Sequence, residues 1–112
     1  MHRSSKPEPA PKDSASLFAA LGDETRLRIV ARLCDGPMSI VKLTAGSQIT
    51  RQAVTKHLRV LESARLVRGA RHGRERVWQL DRRRVEDARH YLDLISKQWD
   101  DALGRLRDFV EK

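Results

Sequence analysis

The sequence predicts a mainly α-helical fold with one small β-hairpin, and three observations lead there. Apolar residues recur at three- and four-residue spacing over most of the 112-residue chain. Two β-branched or aromatic runs, "LVRGA" (66–70) and "RVWQL" (76–80), flank a linker containing Gly73. Charged residues make up 34% and aromatic residues only 4%, so the core must be aliphatic and modest, as in one small helical domain. No apolar run approaches the roughly 20 residues that span a bilayer. The N-terminus lacks the apolar core of a signal peptide. The single cysteine, Cys34, excludes an internal disulfide framework and fits a reducing compartment, so a cytoplasmic protein without a membrane role is expected.

Residues 1–13 contain three prolines and charges of both signs with no hydrophobic period, and are read as a disordered tail. Order is expected from about Ser14. "SLFAALG" forms a short apolar helix closed by Gly22, a favoured residue just past a helix end. Asp23 caps the next helix, "ETRLRIVARLC", with Glu24 favourable in its first turn. On it Leu27, Val30 and Leu33 make one stripe, flanked by Ile29 and Cys34. Gly36-Pro37 ends that helix, and Ser39 caps a third, "IVKLTAG", which stops at Gly46.

The stretch "ITRQAVTKHLRVLESARLV" (49–67) is a fourth helix with two distinct sides. Thr50 is the N-cap, and Ile49 can pack on Val54 as a hydrophobic staple. At about 100° per residue, Val54, Leu58 and Leu61 point one way, while Gln52, Thr55, Lys56 and Arg59 point the other. Two helices joined by "GSQIT" match a helix-turn-helix unit. A hairpin follows, its tip carrying Arg71, His72, Arg74 and Arg76. A helix-turn-helix followed directly by a basic hairpin is the layout of a winged helix.

From Arg82 to Val110 runs one long helix. Val85, Ala88, Leu92, Ile95, Trp99, Ala102, Leu106 and Phe109 keep 3-4 spacing over nearly four heptads, a seam for another helix. The preceding residues are too few to cover so long a stripe, so self-association is expected. The fold class is therefore a winged helix-turn-helix head (14–81) with a long C-terminal dimerisation helix (82–112).

Charge is unevenly placed. Of a net +8, residues 50–76 hold eight Lys/Arg against two acids, whereas residues 81–112 hold eight against eight. Such a concentration is the footprint of a polyanion partner. B-DNA's major groove admits one helix, where Gln can pair with adenine, Lys or Arg with guanine, and Thr can touch the thymine methyl. Gln52, Thr55, Lys56 and Arg59 supply that chemistry on one face. Arg51 lies to the side, toward phosphate. Arg71, His72, Arg74 and Arg76 would reach an adjacent minor groove or backbone. His57 lies on the flank nearer the core, where a packed histidine and a DNA contact fit equally. A winged helix that binds protein would instead show an acidic or apolar recognition face. For an enzyme the sequence offers no nucleophile with a base, no carboxylate pair and no phosphate-cradling glycine loop.

Together "LFAALGDETRLRIVARL", "ITRQAVTKHLRVLESARLV" and "RHGRERVWQL" resemble the ArsR-type winged-helix transcriptional repressors, over about residues 15–112. The resemblance implies a homodimer packed through its first and last helices, with Leu17, Leu21, Leu92, Ile95, Trp99 and Leu106 at the contact. It implies palindromic operator DNA, autorepression, base reading by Gln52, Thr55 and Lys56, and a wing from Arg71 to Arg76. Where the family's metal-sensing members place a cysteine pair, this chain has Ser39 and Val41; at the second site it has Arg82, Arg84, Ile95 and Gln98. Neither set is a plausible ligand group, so no metal and no cofactor is expected. Release from DNA then calls for a small-molecule or protein effector that alters the angle between the two heads. The family pattern also has glycine where this chain has Arg65, which predicts a strained helix end or a different one.

Overall fold

A computed structural model describes residues 11–111, and the tail reading for residues 1–10 lies outside them. Helix α1 (Pro11–Leu21) begins three residues earlier than Ser14. Proline suits a first helical position, where its missing N–H costs nothing. Asp13 in that first turn is anchored elsewhere in the chain, as described below. Helix α2 (Glu24–Leu33) starts at Asp23, whose side chain accepts from the Arg26 N–H. Gly22 between them does not take a positive φ. The end of α1 is closed instead by Arg26, whose Nε donates to the Ala20 carbonyl at 2.6 Å, a cation satisfying carbonyls that a helix leaves without partners.

On α2 the buried face is Ile29 and Leu33, with Leu27 51% exposed and Cys34 also exposed. The expected stripe through Leu27 is thus rotated by part of a turn, because α4 (Arg51–Ser63) and the sheet meet the Ile29 side. Cys34 is correspondingly outside the core, not on a buried flank. Strand β1 (Met38–Ser39) was not foreseen. It is two residues long and pairs antiparallel with β3 (Glu75–Leu80), Met38 opposite Trp78. Helix α3 (Ile40–Thr44) is capped by the Ser39 hydroxyl, which accepts from the Lys42 N–H.

Helix α4 (Arg51–Ser63) is capped by Thr50, accepting from the Ala53 N–H, and buries Val54, Leu58 and Leu61 as expected. Its end is a paired turn. Arg65 N–H bonds to the Glu62 carbonyl and Leu66 N–H to the Leu61 carbonyl, both at 2.9 Å. Arg65 takes φ 64° at the left-handed position, so the helix ends where a glycine would end it, at a steric cost of roughly 1 kcal/mol. Leu61 and Leu66, the apolar pair that goes with this motif, are both fully buried.

Strands β2 (Val67–His72) and β3 (Glu75–Leu80) pair antiparallel with His72 opposite Glu75, and the sheet order is β1-β3-β2. The strands therefore run further than the sequence runs suggested, leaving only Gly73 and Arg74 as the turn. Gly73 has φ 62°, the value such a tight hairpin loop needs. Trp78, 1% exposed, anchors the sheet on Met38 and the helical core.

Helix α5 (Arg82–Val110) starts at Asp81, which accepts from the Arg83 N–H. At 1.5 Å per residue its 29 residues span about 43 Å. Ala88 packs on the core, but Leu92, Trp99, Leu106 and Phe109 are 52–77% exposed. Near its start Arg84 is buried. It donates from Nε to the Ala64 carbonyl at 2.8 Å and from Nη1 to Asp13 Oδ2 at 2.8 Å, tying α5 to the ends of α4 and α1.

Candidate nucleic-acid interface

Helix α4 presents its outer face because its inner one is fixed. Val54, Leu58 and Leu61 are at most 3% exposed, so the side chains opposite them must project outward. Arg51, Gln52, Lys56 and Arg59 are exposed and Thr55 is half-buried. Among the described residues, no side-chain hydrogen bond or ion pair engages Arg51, Gln52 or Lys56. Unused donors and acceptors on a rigid, capped helix are what base edges in a major groove require.

Two of the expected residues on α4 are already engaged. His57 is turned toward the joint between α1 and α2. Its Nδ1 lies 3.3 Å from Arg26 Nη1 and 3.8 Å from Asp23 Oδ2, and its side chain is 25% exposed. Of the two readings left open, the packed one describes its position here. Asp23 is held below the usual carboxylate range, chiefly by the Arg26 backbone N–H, with partial burial opposing and the Arg26 and His57 charges assisting. Arg59 in turn has its Nη1 3.6 Å from Glu62 Oε1.

The hairpin continues the basic surface. Arg71, His72 and Arg74 are exposed at its end. Arg71 lies directly across from Arg76, a like-charge pair that costs stability in a sheet unless an anion relieves it. A cavity of about 330 Å³ opens beside them, lined by Arg71, Arg74 and Arg76 with Gly69, Ala70 and Glu75. Arg76 itself does not extend from the tip. Its guanidinium lies 4.9 Å from the Trp78 ring centre, and Nη2 is 3.8 Å from Glu62 Oε2. Gly69 makes the room: a Cβ there would stand 2.5 Å from Arg76 Nε.

The expected dimer residues divide as well. Leu92, Trp99 and Leu106 are open to solvent, and Leu21 and Ile95 are half-buried. Leu17 is 1% exposed inside the single chain, so its side chain belongs to this chain's own core and not to a contact with a partner. Its i, i+3 relation to Ala20, also buried, was the signal.

Residues 21–70 match the family model described as a helix-turn-helix domain. Among curated proteins, the HTH-type transcriptional regulator Rv2034 of Mycobacterium tuberculosis is 45% identical over 64 residues, 57% of this chain and 60% of that protein. The HTH-type transcriptional regulator KmtR of the same organism is 34% identical over 89 residues, 76% of this chain and 68% of KmtR. The first two curated relatives are spanned over only 60% and 50% of their own length. Among solved structures, an ArsR-like transcriptional regulator from Rhodococcus sp. RHA1 superposes with a TM-score of 0.77 at 32% identity, covering 88% of this chain and 92% of that one.

Proposed function

The chain belongs to the ArsR-like family of helix-turn-helix transcriptional regulators, and from that premise we propose that it is a sequence-specific repressor binding double-stranded DNA as a homodimer. It reads bases with Gln52, Thr55 and Lys56, and contacts phosphates with Arg51, Arg71 and Arg74. The observation that carries this reading is the pair Gln52 and Lys56, exposed and unengaged among the described residues on the outer face of a capped helix beside an arginine-rich hairpin. The dimer rests on the apolar row of α5, too exposed to stand alone in water. Two recognition helices so paired would enter successive major grooves about 34 Å apart on palindromic operator DNA. The target proposed is the protein's own operon, in the cytoplasm. No helix among the described residues is long and apolar enough to cross a membrane.

Metal does not regulate it in this reading. At the family's two sensing positions stand Ser39 and Val41, and Arg82, Arg84, Ile95 and Gln98. Arg84 is buried and paired with Asp13, and a guanidinium, having no acceptor, is not a ligand for a cation. The releasing signal is then an organic ligand or protein. A gel shift with the protein's own upstream region tests the function. Three phosphate contacts per subunit, about six per dimer, predict a fall in affinity of about 10³ between about 50 and 200 mM salt. Absence of any salt-sensitive duplex affinity refutes it.

A further inference from the structure

Residues 50–76 contain two acids, Glu62 and Glu75, and their surroundings differ. Glu62 puts Oε1 3.6 Å from Arg59 Nη1 and Oε2 3.8 Å from Arg76 Nη2, so one carboxylate spans α4 and the hairpin. Glu75, near the hairpin turn, enters no ion pair among the described residues. The position of Arg76 is built for this contact. Gly69 leaves space under its guanidinium, and the Trp78 ring lies 4.9 Å away.

We propose that Glu62 is an internal counter-ion, standing between Arg59 and Arg76 where a DNA phosphate would otherwise stand, and that it weakens binding to non-operator DNA more than to the operator. The inference rests on the DNA-binding reading above. Sequence-independent affinity comes from cations that neutralise phosphates and release counterions. Two arginines already facing a carboxylate contribute less of it. Base contacts through Gln52 and Lys56 do not involve Glu62 and keep their full effect. On the operator, moreover, the bridge holds the hairpin in register with α4, so removing it gives up part of what it frees. Glu62 is thus a specificity-determining residue that acts through Arg59 and Arg76.

The test compares the full chain with Glu62→Gln, Glu75→Gln, Arg76→Gln and Glu62→Gln/Arg76→Gln. Binding to a random duplex and to the selected operator is followed by fluorescence anisotropy at several salt concentrations, and retention is measured on heparin. Glu62→Gln is expected to bind the random duplex about threefold to tenfold more tightly, with a steeper salt dependence and a smaller gain on the operator. Glu75→Gln should gain under about twofold, and in the Arg76→Gln background the Glu62 effect should fall by at least about half. The proposal is overturned if Glu62→Gln gains nothing, if Glu75→Gln matches it, or if the gain survives undiminished in the Arg76→Gln background. Should the wild type bind no duplex, the functional reading fails. Heparin then still decides the counter-ion: later elution of Glu62→Gln than of Glu75→Gln keeps it, and equal elution overturns it.

Discussion

Arg84 and Asp13, 71 positions apart, meet through a two-pronged contact: Nη1 donates to Oδ2 at 2.8 Å and Nη2 to Oδ1 at 3.2 Å. The same guanidinium donates to the Ala64 and Asp13 carbonyls. Arg84→Met keeps the apolar stem but leaves the buried Ala64 carbonyl without its donor. A loss of about 1–3 kcal/mol is expected from that carbonyl alone, read by denaturant unfolding.

Acid should weaken the same junction. Asp13 is held below the usual carboxylate range, first by the hydrogen bond from Arg65, with partial burial opposing and Arg84 assisting. A carboxyl depressed in the folded state contributes stability that is complete above its unfolded value of about 3.9 and disappears as pH falls through the folded value. Asp13→Asn removes this contribution. The expected outcome is lower stability than wild type near neutral pH and a shallower loss below about pH 4, measured as Tm against pH.

Arg65 sets two effects against each other. Its left-handed φ of 64° costs roughly 1 kcal/mol relative to glycine. Its exposed bond to Asp13, 2.8 Å long with Arg65 62% exposed, is a solvent-screened surface pair of small net effect. Arg65→Gly is therefore expected to be neutral or more stable by up to about 1 kcal/mol, while Asp13 titrates at higher pH than in the wild type. A clear loss of stability would show that the ion pair outweighs the backbone.

Gln52→Ala with Lys56→Ala should remove operator preference and leave folding intact, since neither side chain has an internal partner among the described residues. Each lost base contact predicts about 1–3 kcal/mol of discrimination. Competition gel shifts against random DNA measure it, and an unchanged preference places base reading elsewhere.

Ile95→Asp with Trp99→Asp puts two carboxylates on the α5 seam. Light scattering is expected to give the monomer mass, with helix content largely kept because the core residues of the head are untouched. A surviving dimer means that α5 faces something other than its copy.

The sequence was most legible where one residue decides local geometry. Asp23, Ser39 and Thr50 cap their helices as their side chains require. Gly73 forms the hairpin turn, and the two faces of α4 follow from its period. What escaped was decided by distant partners. The two-residue strand β1 exists only because Trp78 offers Met38 an edge to pair with. Leu27 is exposed and Ile29 buried because packing chose between two adjacent stripes. Arg84 could have been suspected, since it lies four residues before Ala88 on the packed side of α5 and a charge there needs a partner. That Arg76 folds back onto Trp78 and Glu62, and that His57 turns to Arg26, depends on contacts that no local pattern encodes. The base-reading assignments were readable as chemistry, and their test lies with DNA.

The uneven charge of this elongated molecule, about 66 Å in its longest dimension, also governs how it arrives. The +6 excess belongs to α4 and the hairpin, whereas residues 81–112 are neutral overall. In the field of a duplex such a body experiences a torque as well as a pull, and turns its charged end forward before contact. In the DNA-binding reading, encounters would then be mostly productive in orientation, and the bimolecular on-rate is expected to be high in dilute buffer and to slow steeply as added ions shorten the reach of that field.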